Sequence, residues 1–135
     1  MRVLPDTNVL VYDTVEDSEH HTIAMNMIER AGSIILPSIV MHEYVWVMLK
    51  AISVSPEVVA TKVNEYANDP RSRYLLEGAD TIAYALRMLH DHGANASKIN
   101  DYIILAVALK SKAVLATFDT ELKAHAIEKG LDTLP

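Results

Sequence analysis

The sequence predicts an α/β fold with a parallel sheet covered on both faces by helices, and three observations carry that prediction. Short apolar runs recur along the chain, "RVLP" at 2–5, "SIILP" at 33–37 and "AVLATF" at 113–118, and each reads as a strand. They are apolar at nearly every position instead of alternating, the pattern of strands buried on both faces. Each is followed by a segment of helical character, and an alternating β and α rhythm points to parallel crossover units.

The elements follow in order. After "RVLP" the chain runs into Asp6, Thr7 and Asn8 and turns apolar again, so a carboxylate ends a buried strand. "SEHHTIAMNMIERAG" reads as a helix capped by Ser18, with Ile23, Met27 and Ala31 on its apolar side and Gly32 as its stop. "SIVMHEYVWVMLKAIS" follows the second strand with Ser38 as N-cap. "SPEVVATKVNEYAND" has Ser55 as cap, Pro56 at the first helical position and Glu57 in the first turn. "YLLEG" at 74–78 fits a short strand, "DTIAYALRMLHDHG" a helix capped by Asp80 and ended by Gly93, and "SKINDYIILAVALKSK" a helix after Ser97. "DTELKAHAIEKG" closes the helical series and "LDTL" adds an edge strand.

The whole of residues 1–135 fits one unit, since this length buries a true core with little left for a second. Half the residues are hydrophobic, and no Pro-, Ser- or Gln-rich stretch suggests disorder. The longest clean apolar runs, such as "YIILAVAL", are too short to cross a bilayer, and Asp6 interrupts any signal-peptide pattern. A cytoplasmic protein without membrane contact is expected. With no cysteine, disulfides, thiolate nucleophiles and Cys-ligated zinc are excluded, so the chemistry rests on oxygen and nitrogen groups. A formal charge of −6, from 18 acids and 12 bases, argues against nucleic-acid binding by general attraction. That inference reverses locally if the acids gather around cations.

The placement of the acids therefore decides the question. In open parallel sheets ligands collect at the carboxyl ends of the strands, where Asp6 and Asp119 both emerge. Glu43 belongs to the same neighbourhood, in the helix after the second strand, and Asp101 opens a helix whose next residues are almost all apolar. Singly, each has a structural explanation as a cap or a helix-start acid, worth about 0.3–1 kcal/mol at a helix N-terminus. Together they do not. Two like charges about 4 Å apart repel by about 4 kcal/mol at an effective dielectric near 20, against a domain stability of about 5–15 kcal/mol. Cations or protons must then be present. Hard oxygen ligands without a His or Cys set suit Mg²⁺ or Mn²⁺, and such a site serves phosphodiester hydrolysis by activating water and neutralising phosphate charge.

"DTNVLVY" from Asp6, Glu43 after the second strand, "NDYIILAVAL" with Asp101 and "LATFD" ending in Asp119 resemble the four signature acids of PIN-domain nucleases, in order and spacing. The match spans nearly the whole chain and looks most like the VapC toxins of VapBC toxin–antitoxin pairs. The resemblance implies a three-layer α/β/α fold with a parallel sheet of about five strands. It also implies Mg²⁺- or Mn²⁺-dependent cleavage of single-stranded RNA, a homodimer, and a small VapB-like antitoxin partner. Carried over position by position, Asp6, Glu43, Asp101 and Asp119 are the catalytic, metal-binding acids. Asn8 and Thr117 match polar positions flanking the first and last acids, where they orient a carboxylate or bound water; each is also an ordinary strand-end residue. One departure is Pro5, where the family carries an aliphatic residue. Pro removes a ladder donor, which predicts a first strand that ends one residue early.

Other patterns carry less. "HEYVW" begins like a zinc-protease motif, but Trp46 stands where the second imidazole belongs. His20 and His21 are adjacent on a helix and are expected to face solvent. Met41, Tyr44, Trp46 and Met48 suit core packing for the most part, or a nucleic-acid or protein surface. Arg71, Arg73 and Lys98 are candidate phosphate contacts. Two other classes remain beside the toxin: a housekeeping PIN nuclease for RNA processing, and a non-catalytic, divalent-ion-dependent binding domain.

Overall fold

Val3, Leu4, Ile34, Ile35, Leu36 and Leu115 are all buried, and the runs that carry them form the centre of a five-stranded parallel sheet. The computed structural model describes residues 1–135, with strands β1 (Arg2–Pro5), β2 (Ser33–Pro37), β3 (Ser72–Leu75), β4 (Val114–Ala116) and β5 (Thr133–Leu134). Their order is β3-β2-β1-β4-β5, and every neighbouring pair is parallel. Seven α-helices connect them: α1 (Thr7–Thr14), α2 (His21–Glu29), α3 (Ser38–Lys50), α4 (Pro56–Asn68), α5 (Ala79–Asp91), α6 (Ile99–Ser111) and α7 (Thr120–Glu128). The crossovers through α1–α4 step one way across the sheet, and those through α5–α7 step the other way. Right-handed crossovers running in opposite directions put the two helical sets on opposite faces. Helix α6 is buried continuously from Tyr102 to Ala108, as its all-round apolar sequence requires. No helix is long and apolar enough to cross a membrane.

Pro5 does not shorten β1. It pairs with Ala116 of β4, and the next N–H, that of Asp6, donates to the Ala116 carbonyl at 2.8 Å. Successive N–H groups of a strand point to opposite sides, so the donor Pro5 lacks would face β2. Pairing on that side reaches only Val3 and Ile34, and no bond is lost.

Four expected helix ends move for local reasons. Helix α3 has Pro37, not Ser38, as its N-cap, because Glu77 arrives from beyond β3 to accept the Ile39 N–H at 2.6 Å and the Ser38 hydroxyl. Helix α5 begins after Gly78, leaving Asp80 in the first turn, where Lys110 pairs with it. Ser18 lies just before α2 and accepts the His20 N–H at 3.1 Å. Gly32 is not a left-handed stop. Its N–H donates to the Met1 carbonyl at 2.8 Å, and a Cβ there would stand 3.2 Å from the Met1 nitrogen. Ser55 and Pro56 start α4 as expected, and Gly93 closes α5 at φ +59°. The strand "YLLEG" is displaced to Ser72–Leu75.

Candidate active site

The chain steps from β1 outward to β2 and β3, then returns to the other side of β1 to lay down β4 and β5. The reversal point lies between β1 and β4, the switch position where open α/β sheets bind ligands. Asp6 directly follows β1 and caps α1, and Asp119 follows β4 and caps α7. Their side chains thus come from neighbouring strands for a topological reason.

Asp6 is 7% exposed and the adjacent Thr117 is fully buried. One Asp6 carboxylate oxygen accepts the Thr7 N–H at 2.7 Å and the other accepts the Thr117 hydroxyl at 2.9 Å. Thr117 Oγ1 in turn accepts the Asp119 N–H at 3.0 Å. One hydroxyl therefore links the first acid to the last. Burial drives the Asp6 pKa upward; the bonds from Thr117 and Thr7 pull it down, and Glu43 and Asp119 push it up. Asp119 accepts the N–H groups of Glu121 and Leu122 at 2.9 and 3.1 Å.

Glu43 is held from two sides. The Thr7 hydroxyl donates to Oε1 at 2.7 Å and the Asn100 amide to Oε2 at 3.1 Å, so α1 and α6 both grip an acid carried on α3. Asp101, the neighbour of Asn100, receives no protein hydrogen bond. Its pKa is raised to about 6 by burial first, then by the charges of Asp6, Asp119 and Glu43, with Lys98 opposing. Each of the other three acids acts on Asp101 electrostatically, which defines the four as one cluster.

No three of the chain's His, Asp and Glu side chains converge closely enough to make a coordination shell by themselves. The donor set nevertheless fits a hydrated hard cation. Mg²⁺ keeps several waters and needs only one or two carboxylates, and the unbonded Asp101 beside the fixed Glu43 offers them.

Of the flanking positions, Thr117 orients Asp6 as described, whereas Asn8 is exposed on α1 and hydrogen-bonds to none of the acids. Thr7 and Asn100 are contacts that sequence reasoning missed; their only signal is adjacency to Asp6 and Asp101. Arg71 is not available to phosphate. It pairs with Asp69 at 2.9 Å and donates to the Ile28 and Ala31 carbonyls at the end of α2. His20 and His21 are not simply solvent-facing. The His20 ring lies 4.8 Å from Tyr12 and 5.1 Å from Phe118, and His21 Nδ1 meets the Tyr12 carbonyl at 2.8 Å.

A family model described as the PIN domain matches residues 3–128, which include all four acids. The chain belongs to the PIN domain family. Among solved structures, the PIN fold seen here resembles VapC20 of Mycobacterium tuberculosis, a toxin that cleaves the sarcin-ricin loop. The TM-score is 0.78 at 15% identity, over 91% of this chain and 94% of that one. A chain of VapBC2 from Rickettsia felis, bound to a promoter DNA fragment, gives 0.68 at 21% identity over 98% and 97%. FitAcB from Neisseria gonorrhoeae gives 0.65 at 16% identity over 98% and 96%. Comparison with curated protein sequences gave no match. The PIN fold thus extends over almost the full length of this chain and of its structural neighbours.

Proposed function

We propose that residues 1–135 act as one PIN-domain endoribonuclease that cleaves single-stranded RNA with Mg²⁺ or Mn²⁺, as the toxin of a type II toxin–antitoxin pair. The observation that carries this reading is the concentration of Asp6, Glu43, Asp101 and Asp119 at the sheet's switch point, with Asp101 pushed to about pKa 6. A cluster so charged suits cations and phosphate chemistry. Structural neighbours come from toxin–antitoxin complexes such as VapBC2 of Rickettsia felis, which supports a small VapB-like antitoxin as partner and a cytoplasmic setting. A homodimer is the assembly proposed with it.

The four acids would hold the ion, with Asp101 and the second oxygen of Asp119 free of protein hydrogen bonds and Glu43 fixed in place. When bound, a divalent ion supplies a lower water pKa and neutralises charge building on the phosphate. Thr7 and Asn100 keep Glu43 in one orientation, so no rotamer search precedes each turnover. Thr117 holds Asp6 against Asp119's backbone, and Lys98 offsets part of the cluster's negative charge.

The test is cleavage of a labelled single-stranded RNA with Mg²⁺, Mn²⁺ or EDTA, beside Asp6→Asn. Cleavage should require metal and fall on the order of a hundredfold or more in the variant. The variant should still fold, because an amide can accept the Thr7 N–H and donate to a rotated Thr117 hydroxyl. Equal inertness of both proteins toward several RNAs, with no divalent-ion binding by calorimetry, would rule the nuclease out.

A further inference from the structure

Glu43, Trp46, Val47 and Lys50 stand at i, i+3, i+4 and i+7 of α3, so one helical face runs from the acid cluster toward the helix end. With Ala51 and Asn100 they line an open cleft of about 510 Å³, a size suited to a small organic ligand. Glu43 and Asn100 belong to both the acid cluster and the cleft, so the two spaces are continuous.

Trp46 is the unusual member. It is the chain's only tryptophan and is 60% exposed, while Met41, Tyr44 and Met48 on the same helix are buried. The core therefore claims three of the large residues of α3 and leaves the indole in water. The Lys50 ammonium lies 5.6 Å from the indole centroid and has no acidic partner within ion-pair distance. An exposed aromatic ring that carries, over one face, a cation without an acidic partner is a pairing suited to unstacked bases and their phosphates. A chain of charge −6 needs such a local cation along any RNA path, and Lys50 supplies one, whereas Lys98 pairs with Glu121 at 3.7 Å.

We propose that this cleft is a nucleotide subsite, in which Trp46 stacks on an unpaired base next to the cleaved phosphate and Lys50 meets the neighbouring backbone phosphate. It rests on the nuclease reading above. Because Trp46 is the only indole, its fluorescence reports on this one place.

The experiment titrates the intact protein, with Mg²⁺, against a phosphorothioate single-stranded RNA oligonucleotide that resists cleavage. In parallel, cleavage kinetics are measured for wild type, Trp46→Ala, Trp46→Phe and Lys50→Ala. Saturable quenching is expected with single strands and much less with duplex. Trp46→Ala should raise KM roughly tenfold with kcat within about twofold, Trp46→Phe should restore most of the loss, and Lys50→Ala should lower the salt dependence of binding by about one phosphate contact. Unquenched emission with an unchanged KM in Trp46→Ala, while cleavage continues, overturns the subsite and leaves the nuclease standing. Quenching without any cleavage removes the nuclease and overturns the placement beside a cleaved phosphate, leaving a single-strand binding cleft. A blue shift that grows with protein concentration and ignores RNA overturns it, assigning the indole to a second copy of the chain.

Discussion

At Asp101 a half-buried carboxylate faces three others without a single protein donor, and this has a thermodynamic consequence. Its folded-state pKa of about 6 exceeds the ordinary 3.8, so between those values the folded protein binds more protons than the unfolded chain. Metal-free stability therefore falls as pH rises through that window and stays low above it. Asp101→Asn should stabilise the metal-free protein at pH 7 by about 1 kcal/mol, once screening on its solvent side is allowed for, and by almost nothing near pH 3.5. Urea unfolding at the two pH values checks this; an equal gain at both would detach the effect from ionisation. The four acids were legible in the sequence because Asp6 and Asp119 stand at strand ends, Glu43 lies in the helix that starts from β2, and Asp101 opens a helix whose next residues are almost all apolar. Thr7 and Asn100 were not, because their bonds to Glu43 depend on how α1 and α6 cross α3, which no local pattern encodes.

Among the elements, α1 is the least legible and one of the most consequential. Its eight residues include Val9 and Val11, which favour strands over helices, so the run after Asp6 had no defined helical bounds in the sequence. Tertiary bonds fix it instead. At its start Thr7 grips Glu43. At its end the Thr14 hydroxyl lies 2.8 Å from that of Tyr44 on α3, and the Tyr66 hydroxyl of α4 donates to Asp13 at 2.6 Å. Burial, then the charge of Asp13, holds the Tyr66 phenol far above its usual pKa, so it remains a donor at all physiological pH. Tyr66→Phe should cost about 1–3 kcal/mol by leaving Asp13 without this donor. The urea midpoint should drop with an unchanged slope; a wild-type midpoint would show that water satisfies Asp13 equally well. Helices with a strong local start, such as α4 with Ser55 and Pro56, needed no such help and were placed correctly from sequence.

For the molecule as a whole, the proposed ion binding would be linked to stability. A divalent ion bound only by the folded state at about a hundred times its Kd adds about 2.7 kcal/mol, a Tm rise of roughly 8 °C for a chain of this size. Protons compete for the same carboxylates, so the increment should shrink as pH falls below about 6. Calorimetric scans with Mn²⁺ or EDTA at pH 5 and 7.5 measure it, and a pH-independent increment would place the ion elsewhere. The parallel α/β class was legible from the apolar strands, but the order β3-β2-β1-β4-β5 was not, since adjacency of β1 to β4 follows from a long crossover with no sequence signature. That order also gives the short β5 an outsized part. The Thr117 N–H donates to the Leu134 carbonyl at 3.0 Å, and the Leu115 N–H to that of Asp132 at 3.0 Å. The residue that anchors Asp6 thus hangs on the carbonyl of Leu134 in β5. Mechanically, the edge strand is a lever on the acid cluster: whatever lifts Thr133 and Leu134 from the sheet loosens the first and last acids together, without coming near either.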